Sequence, residues 1–592
     1  MVYDSKELKQ MANVVRADAL RAIASAGSGH VGIAMGAADI LTILYANFLH
    51  SADNFILSAG HGGALLYSVL GRAGYPIGQL NTFRRMGGLP GHPEYGMPGV
   101  AATTGPLGAG VGNAVGYALV HKIRHDAGRV YCLCSDGDLM EGVAQESIAF
   151  AGRYKLNNLI LLWDDNGVSI DGTAQSAVDI PALVRAAGWY IITANGNDFA
   201  SLNRAINTAI DCDGPVFICC KTVLGLGTSV AGTSRAHGFA IEQSEALNLA
   251  NALENPGGIV LWQKIAERRT KHDKTKIPSI DVSRVKMPRV ASNMSTRELS
   301  GIYINEMLKS GVDLVGGSAD LGTSTGAMVD ASRHIMPGRF VGNYIDYGVR
   351  EHAMGAIMNG MCAAGLRVYG STFLVFSDYM RPAIRLAALS GIPSIFVFSH
   401  DSIVVGSDGP THQPVEQLAS LRMIPNLNVF RPCNGDEMAY VWQRALADNT
   451  RPSCIILSRQ KFNNPQSPRN IDMSRGAYII RPAGTLRVRG TILASGADVA
   501  LAISVAEQLS GFQVVSVPSV GDLRVAPMSY KYQMLRGRVF AIEASNTAPW
   551  FEFADFVFGI DAFGTTGPGD VVYGKYGFDA DKIVSQINKI MK

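Results

Sequence analysis

The sequence predicts an α/β protein of three domains, with mostly parallel sheets flanked by helices. Three observations predict it. Short apolar, β-rich runs alternate with helical stretches along the chain, the order that yields parallel sheets covered on both faces. The length, 592 residues, corresponds to roughly three to five domains at about 100–200 residues each. Glycine supplies 65 of those residues, well above the roughly 7% of an average chain, and many glycines lie where apolar runs stop, the places where α/β proteins bring backbone against phosphates and cofactors.

Taken in order, Val130–Cys134, Leu159–Trp163 and Val216–Cys219 are short apolar runs and are expected as strands of a first domain at residues 1–280. From about Glu267 to Arg289 the chain reads ERRTKHDKTKIPSIDVSRVKMPR, charged, punctuated by proline and without a sustained apolar period. A linker is expected there, with residues 281–295 as the connecting segment to a second domain at 296–465. Ile395–Phe398 is a strand of that domain. Lys461–Arg469 carries two prolines among polar residues, and the β-like run Gly476–Ile480 then opens a third domain at 475–592.

Composition narrows the function. Hydrophobic residues make up 47% and charged residues 17% of the chain, enough for several buried cores and without the mark of disorder. Lys+Arg 52 against Asp+Glu 49 leaves a formal charge of +3, too balanced for the broad positive field that attracts nucleic acid or an anionic membrane. No apolar run approaches the ~18 residues that span a bilayer, and the opening Met-Val-Tyr-Asp-Ser-Lys lacks the features of a secretory signal. A cytoplasmic location is expected. The eight cysteines form no Cys-x-x-Cys pair and are expected as buried thiols. Gly108-Ala-Gly110-Val-Gly112 lacks the third glycine of a dinucleotide fingerprint, and neither a Walker A motif nor a Gly-x-Ser-x-Gly elbow occurs. His121 and His125 have the spacing of a zinc pair but no adjoining glutamate, and belong on a solvated helix face.

The chemical signal lies at strand ends. After Cys134 comes Ser135-Asp136-Gly137-Asp138-Leu139-Met140-Glu141-Gly142, and after Trp163 comes Asp164-Asp165-Asn166-Gly167-Val168. Asp136 and Asn166 are thirty residues apart, the span of a strand-helix-strand unit, which sets both at the carboxyl ends of neighbouring strands where such sheets bind ligands. A carboxylate, an amide oxygen and a nearby main-chain carbonyl suit Mg2+, which takes hard oxygen donors and leaves positions for phosphate and water. Asp-Gly or Asn-Gly alone reads as an ordinary turn; the joint spacing carries the expectation.

The segment from Asp136 to Asn166 resembles the thiamine-diphosphate-binding motif, with Ser135-Asp136-Gly137 at its leading Gly-Asp-Gly. Leu57-Ser-Ala-Gly-His61-Gly, Gly91-His92-Pro-Glu94, Thr103-Thr-Gly105-Pro-Leu107-Gly108, Tyr347-Gly-Val-Arg-Glu351-His-Ala-Met, His400-Asp-Ser and Asp408-Gly-Pro-Thr-His412-Gln-Pro follow the order of the transketolase family. Gly559–Gly564 extends a weaker likeness. The resemblance implies a diphosphate-binding first domain, a pyrimidine-binding second domain and a C-terminal domain outside the site. It implies thiamine diphosphate with Mg2+ or Ca2+, sugar phosphates as partners, and a homodimer whose active site lies at the subunit interface, where Glu141 and Glu351 approach each other. The implied reaction transfers a two-carbon ketol unit from a ketose phosphate such as xylulose 5-phosphate to an aldose phosphate such as ribose 5-phosphate or erythrose 4-phosphate, through a thiamine-diphosphate adduct.

By the same resemblance Asp136, Asn166 and the carbonyl of Val168 hold the metal. His61, Gly105, Leu107, Gly137, Glu141, His237 and Asp320 contact the cofactor, while Phe373, Phe376 and Tyr379 wall its pyrimidine ring. Glu351 hydrogen-bonds the pyrimidine nitrogen and promotes loss of the thiazolium proton. His30 and His237 act at the donor carbonyl, His92 and His412 contact hydroxyls and assist proton transfer, and Asp408 reads the hydroxyl beside the carbonyl. Arg297, Ser324, His400 and Arg459 hold the phosphate, to which guanidinium groups offer paired donors at fixed charge. Four positions depart from the family pattern: Val31 for proline, Ala101 for glutamate, Ser135 for glycine and Asn197 for histidine. Two alternatives stay open, a 1-deoxyxylulose-5-phosphate synthase and a catalytically silent cofactor-binding homologue. The Gly-His-Pro-Glu and Thr-His-Gln-Pro words disfavour the first, and the intact Asp136, Asn166, Glu351 and histidine set disfavours the second.

Overall fold

The computed structural model describes residues 2–173, 178–238, 241–268 and 275–592. Residues 269–274, within the stretch read as a linker, lie outside the described residues. The chain forms two compact units, one of Met1–Lys276 with Met336–Phe340 and Ala356–Gly365, the other of Ile277–Ile335, Val341–Gly355 and Leu366–Lys592.

The first unit contains a five-stranded parallel sheet of β1 (Asn54–Leu57), β2 (Val130–Ser135), β3 (Leu159–Asp165), β4 (Tyr190–Asn195) and β5 (Val216–Lys221), in the order β1-β2-β3-β5-β4. Every residue of β2 and β3 is buried; with both faces covered, these strands read as unbroken apolar runs rather than alternating ones. Ser135 pairs with Asp164 at the end of the shared register, so the chain leaves the two strands side by side at Asp136 and Asn166. The long helix Ser5–Ala26 starts at Asp4, whose side chain forms a capping box with Glu7. Its Leu8, Met11, Val15, Leu20 and Ile23 enter the core. Gly27, at φ 65°, ends it in the left-handed conformation that favours glycine and delivers Ser28-Gly29-His30 to the site.

The second unit carries two sheets. One is six-stranded and parallel, built from β6 (Gly316–Ser318), β7 (Tyr344–Asp346), β8 (Tyr369–Phe373), β9 (Ile395–Ser399), β10 (Asn428–Phe430) and β11 (Ser453–Leu457), in the order β7-β6-β8-β9-β11-β10. The other contains β12 (Tyr478–Arg481), β13 (Gly490–Ala494), β14 (Phe512–Ser516), β15 (Arg538–Ile542) and β16 (Phe556–Phe558), in the order β12-β14-β13-β15-β16. Only its edge strand β12 is antiparallel, with a register shift between Ile479 and Arg481. The architecture is thus α/β with mostly parallel sheets. Within 281–295, Val282 and Val285 are buried in one cluster with Leu299, Tyr303 and Trp442, and Asn293–Met294 pairs antiparallel with Phe462–Asn463. Seven of the eight cysteines are buried and Cys212 is partly exposed. Among the described residues no helix is long and apolar enough to cross a membrane.

A buried ionic hub joins the two sheets of this unit. Arg431, 1% exposed, donates to Asp401 Oδ2 (2.8 and 3.0 Å), Asp498 Oδ2 (2.6 Å) and the Ser495 carbonyl (2.8 Å). Glu543 pairs with Arg422 through both oxygens (2.6 and 2.9 Å) and accepts from Trp550 Nε1 (2.7 Å). Burial opposes ionisation of Glu543, but Arg422 and Arg431 overcome it and hold the carboxyl below its usual range. Removing one member of such a set strands the others without counter-charge, a loss of about 3–5 kcal/mol. Arg431→Met is therefore expected to lower the urea midpoint strongly. Arg524→Ala breaks only the exposed pair with Glu552 (2.6 Å), worth at most about 1 kcal/mol. Equal midpoints for the two variants would contradict this ranking.

Candidate active site

In the first unit, one carboxylate gathers the loops that carry the predicted residues. Asp138 is fully buried and accepts from Ser58 Oγ (2.6 Å), the Gly108 N–H (2.7 Å), the Ser135 N–H (2.8 Å) and Ser135 Oγ (2.8 Å). It thereby ties the turn carrying His61, the loop carrying Gly105 and Leu107, and the end of β2 carrying Asp136 and Gly137. Ser135, which departs from the family glycine, contributes two of those bonds.

Four histidines cluster beside these loops. The His30 ring centroid lies 5.4 Å from His61, 6.0 Å from His92 and 5.6 Å from His237, and His61 stacks on His237 at 5.2 Å. Burial first, then neighbouring positive charge, pushes His30 down to about 4 and His61 down to about 3. Burial also lowers His92 and His237. All four are neutral imidazoles near neutral pH, able to donate at one nitrogen and accept at the other. Val31, next to His30, donates its N–H to the carbonyl of Gly238, next to His237 (3.2 Å); the family's proline has no N–H for this bond. Asn197 donates to the Gly36 carbonyl (2.8 Å) and Asp39 Oδ2 (3.0 Å).

At the strand ends three carboxyl groups, Asp136, Asp164 and Asp165, adjoin, and Lys221 pairs with Asp165. Asp136 Oδ2 is buried and has no hydrogen-bond partner among the described residues. Burial, then Asp164 and Asp165, raises Asp136 to about 7. Asn166 is oriented by donating Nδ2–H to Asp164 Oδ2 (3.1 Å), and its Oδ1 accepts from the Val168 N–H (3.0 Å); Asp164 is itself bonded to Thr222 and Asp165 pairs with Lys221. A cavity of about 340 Å³ opens beside Asp136, lined in part by Trp163, Asp179, Thr193 and Lys221. No group of three His, Cys, Asp or Glu suited to a metal occurs among the described residues, so a cation here depends on amide, main-chain and ligand oxygens. That donor set fits Mg2+ with a diphosphate.

The second unit gathers another group. Glu351 opens the helix Glu351–Ala363, is buried, and accepts from Thr372 Oγ1 (3.0 Å); burial raises its pKa. Phe373 stacks on Phe376 at 5.9 Å and on His400 at 3.7 Å, Tyr379 is tilted against Phe376 at 6.0 Å, and the His412 ring meets Phe376 edge-on at 5.4 Å. His400 follows β9 at φ 63°, shares a hydrogen bond between Nδ1 and Ser399 Oγ (2.8 Å), and is pushed down to about 3 by burial, then Arg297, Arg459 and His412. Thr296 and Ser458 lock the two arginine-bearing segments: the Thr296 N–H donates to Ser458 Oγ (3.0 Å) and the Ser458 N–H to Thr296 Oγ1 (2.7 Å). Arg297 donates to the Ser324 carbonyl. Among the described residues neither Arg297 nor Arg459 forms an ion pair. Two cations and an imidazole held together without an ion-pair partner among the described residues suit an anion.

The structure therefore brings together most predicted residues of each group. Glu141, Asp320 and Asp408 are exposed and make no hydrogen bond to another predicted site side chain among the described residues. Sequence reasoning missed Asp138, Thr372 and Arg84. Asp138 lies two residues from Asp136, inside the same motif, and that proximity was its only signal.

The chain matches family models for the transketolase thiamine diphosphate binding domain over residues 7–257, the transketolase pyrimidine binding domain over 292–465 and the transketolase-like C-terminal domain over 476–579. Fold and matches together define a thiamine-diphosphate-binding α/β enzyme. A curated transketolase of Geobacillus stearothermophilus is 36% identical across 98% of this chain and 98% of its own. A transketolase structure from Campylobacter jejuni gives a TM-score of 0.91 at 33% identity, covering 99% of this chain and 100% of that one. A Pichia stipitis transketolase in complex with sedoheptulose 7-phosphate gives 0.87 at 30%, covering 99% and 98%. The chain belongs to the transketolase family, whose members are transferases; this sets aside the synthase alternative.

Asp136 generates a pH prediction. Its raised pKa means that, between about pH 4 and 7, the cation-free folded protein keeps a proton that the unfolded chain has released. Stability from this group is present below the unfolded pKa and falls as pH rises through the window, by about 1.4 kcal/mol for each pH unit crossed. Asp136→Asn removes that loss, so thermal unfolding of the cation-free variant should exceed the parent at pH 8 and approach it near pH 4. Parallel pH profiles for the two proteins would contradict the assignment.

Proposed function

We propose that this chain transfers a two-carbon ketol unit between a ketose phosphate and an aldose phosphate, with thiamine diphosphate and Mg2+ as cofactors. The observation that carries the substrate class is the cluster of Arg297, Arg459 and His400, its arginines without an ion pair among the described residues, beside the Phe373–Phe376 wall. The sedoheptulose 7-phosphate and fructose 6-phosphate complexes of the Pichia stipitis relative support it. The three-domain division at 1–280, 296–465 and 475–592, a cytoplasmic location, and a homodimer in which the pyrimidine-binding domain of one subunit serves the diphosphate-binding domain of the other belong to the same reading. Sedimentation at assay concentration reads the dimer, and a fully active monomer contradicts it.

Asp136, Asn166 and the Val168 carbonyl would hold the cation, with the Gly105–Leu107 loop, Gly137 and His61 against the diphosphate. Thiamine diphosphate, when bound, supplies the nucleophilic carbon that the protein lacks. Burial raises the Glu351 pKa, which favours the protonated form that a donor to a ring nitrogen needs; Thr372 donates to the same carboxyl group. Phe373, Phe376 and Tyr379 stack the ring. His30 and His237 donate to the sugar carbonyl oxygen, His92 and His412 exchange protons with its hydroxyls, and Asp408 contacts the adjoining hydroxyl. Glu141 and Asp320, both exposed, are assigned to the cofactor by resemblance.

Glu351→Gln keeps size and hydrogen bonding but removes the acid, so kcat should fall by roughly the 10²–10⁴-fold typical of a general acid–base group and should not recover with added thiamine diphosphate. Arg459→Ala removes a charged hydrogen bond worth about 1.5–3 kcal/mol, expected as a raised KM for phosphorylated sugars with little change for a non-phosphorylated ketose. Near-normal turnover of Glu351→Gln, or equal damage by Arg459→Ala to both substrates, contradicts these roles.

A further inference from the structure

We propose that Arg84 is a positioning residue that fixes the tautomer of His30, keeping the imidazole proton on Nε2 so that the ring presents a donor to the sugar oxygen. The proposal rests on the reading of His30 given above. Arg84 Nη2 lies 3.4 Å from His30 Nδ1, and Nη1 donates to Ser28 Oγ (3.1 Å), two residues before that histidine. A guanidinium group has five N–H donors and no acceptor. The ring nitrogen facing it is therefore the acceptor, and a neutral imidazole carries its single proton on the other nitrogen. Among the described residues Arg84 is the one hydrogen-bond partner of the His30 ring; His61, His92 and His237 approach it through ring contacts. Burial, then His237, Arg84 and His92, keeps the ring neutral, so the tautomer rather than the charge decides what it offers.

Arg84 is itself held at this post. Its φ is 57°, in the left-handed region that a residue with a long side chain occupies at a cost, and its N–H donates to the Leu89 carbonyl (2.7 Å). The guanidinium carbon lies 5.6 Å from the Phe83 ring centroid. A Cβ on Gly91 would come within 3.0 Å of Arg84 Nε, which gives the glycine of Gly91-His92-Pro-Glu94 a reason: it leaves the groove in which the arginine lies. No ion pair to Arg84 occurs among the described residues. A half-buried cation aimed at a neutral imidazole, without a carboxylate, does little for stability and much for which nitrogen carries the proton.

The test is nitrogen NMR of the full-length protein labelled with 15N-histidine at neutral pH, the His30 signals being assigned by their loss in His30→Asn. The expected spectrum has Nδ1 at the unprotonated and Nε2 at the protonated position. Arg84→Met, similar in length but without a donor, should populate both tautomers and move Nδ1 towards the protonated position, with kcat reduced roughly two- to tenfold by the smaller competent fraction. Arg84→Lys, which keeps a donor, should restore both. A protonated Nδ1 in the parent protein, or an unchanged tautomer in Arg84→Met, overturns the proposal; the parent spectrum decides even if the variants fail to fold. The spectrum needs neither cofactor nor sugar. The expected spectrum in a protein without ketol transfer would remove the functional reading and leave the Arg84–His30 pairing standing.

Discussion

Asp138 accepts four hydrogen bonds from three loops, and the first group of site residues depends on that convergence. Two donors are main-chain N–H groups and two are serine hydroxyls, so the carboxylate fixes backbone as well as side chains. Each loop leaves the carboxyl edge of the sheet or enters a helix beside it, and each would otherwise end in unpaired buried donors. With the loops fixed, His61, Gly105, Leu107 and Asp136 lie where a diphosphate and its cation are expected. The site is thus preorganised by a side chain with no assigned part in the chemistry.

Charge is distributed in a complementary way over the two groups. The first is short of positive charge, with Asp136, Asp164 and Asp165 at adjoining strand ends. The second is short of negative charge, with Arg297 and Arg459 beside His400. On the proposed reading a divalent cation would answer the first and a phosphate the second. Burial lowers the pKa of His30, His61, His92, His237 and His400, so these rings contribute hydrogen bonds rather than net charge, and the orientation of each proton then matters. This is why an arginine beside His30 is informative and why the carboxyl of Glu351, raised by burial, suits a group that must hold a proton.

The strands were legible because a parallel sheet buries both faces and leaves unbroken apolar runs such as Leu159–Trp163. The Asp136–Asn166 pair was legible because a strand-helix-strand unit has a characteristic length. Asp138, Arg84 and Arg431 were not, because their partners are distant in sequence and their roles arise from register: Arg431 reaches Asp498 and Glu543 across two sheets. The departures had opposite visibility. Val31 and Ser135 could be seen to differ from the family, yet only the structure shows that each adds hydrogen bonds the family residue does not supply. The antiparallel edge strand Tyr478–Arg481 carried no sequence signal separating it from its parallel neighbours.

Every role assigned to these residues depends on ketol transfer that requires both cofactors. Protein stripped with a chelator, then assayed with xylulose 5-phosphate and ribose 5-phosphate, should be inactive, and should turn over when thiamine diphosphate and Mg2+ are returned together but not when either is returned alone. Full turnover by the stripped protein, or none after both are restored, would contradict it.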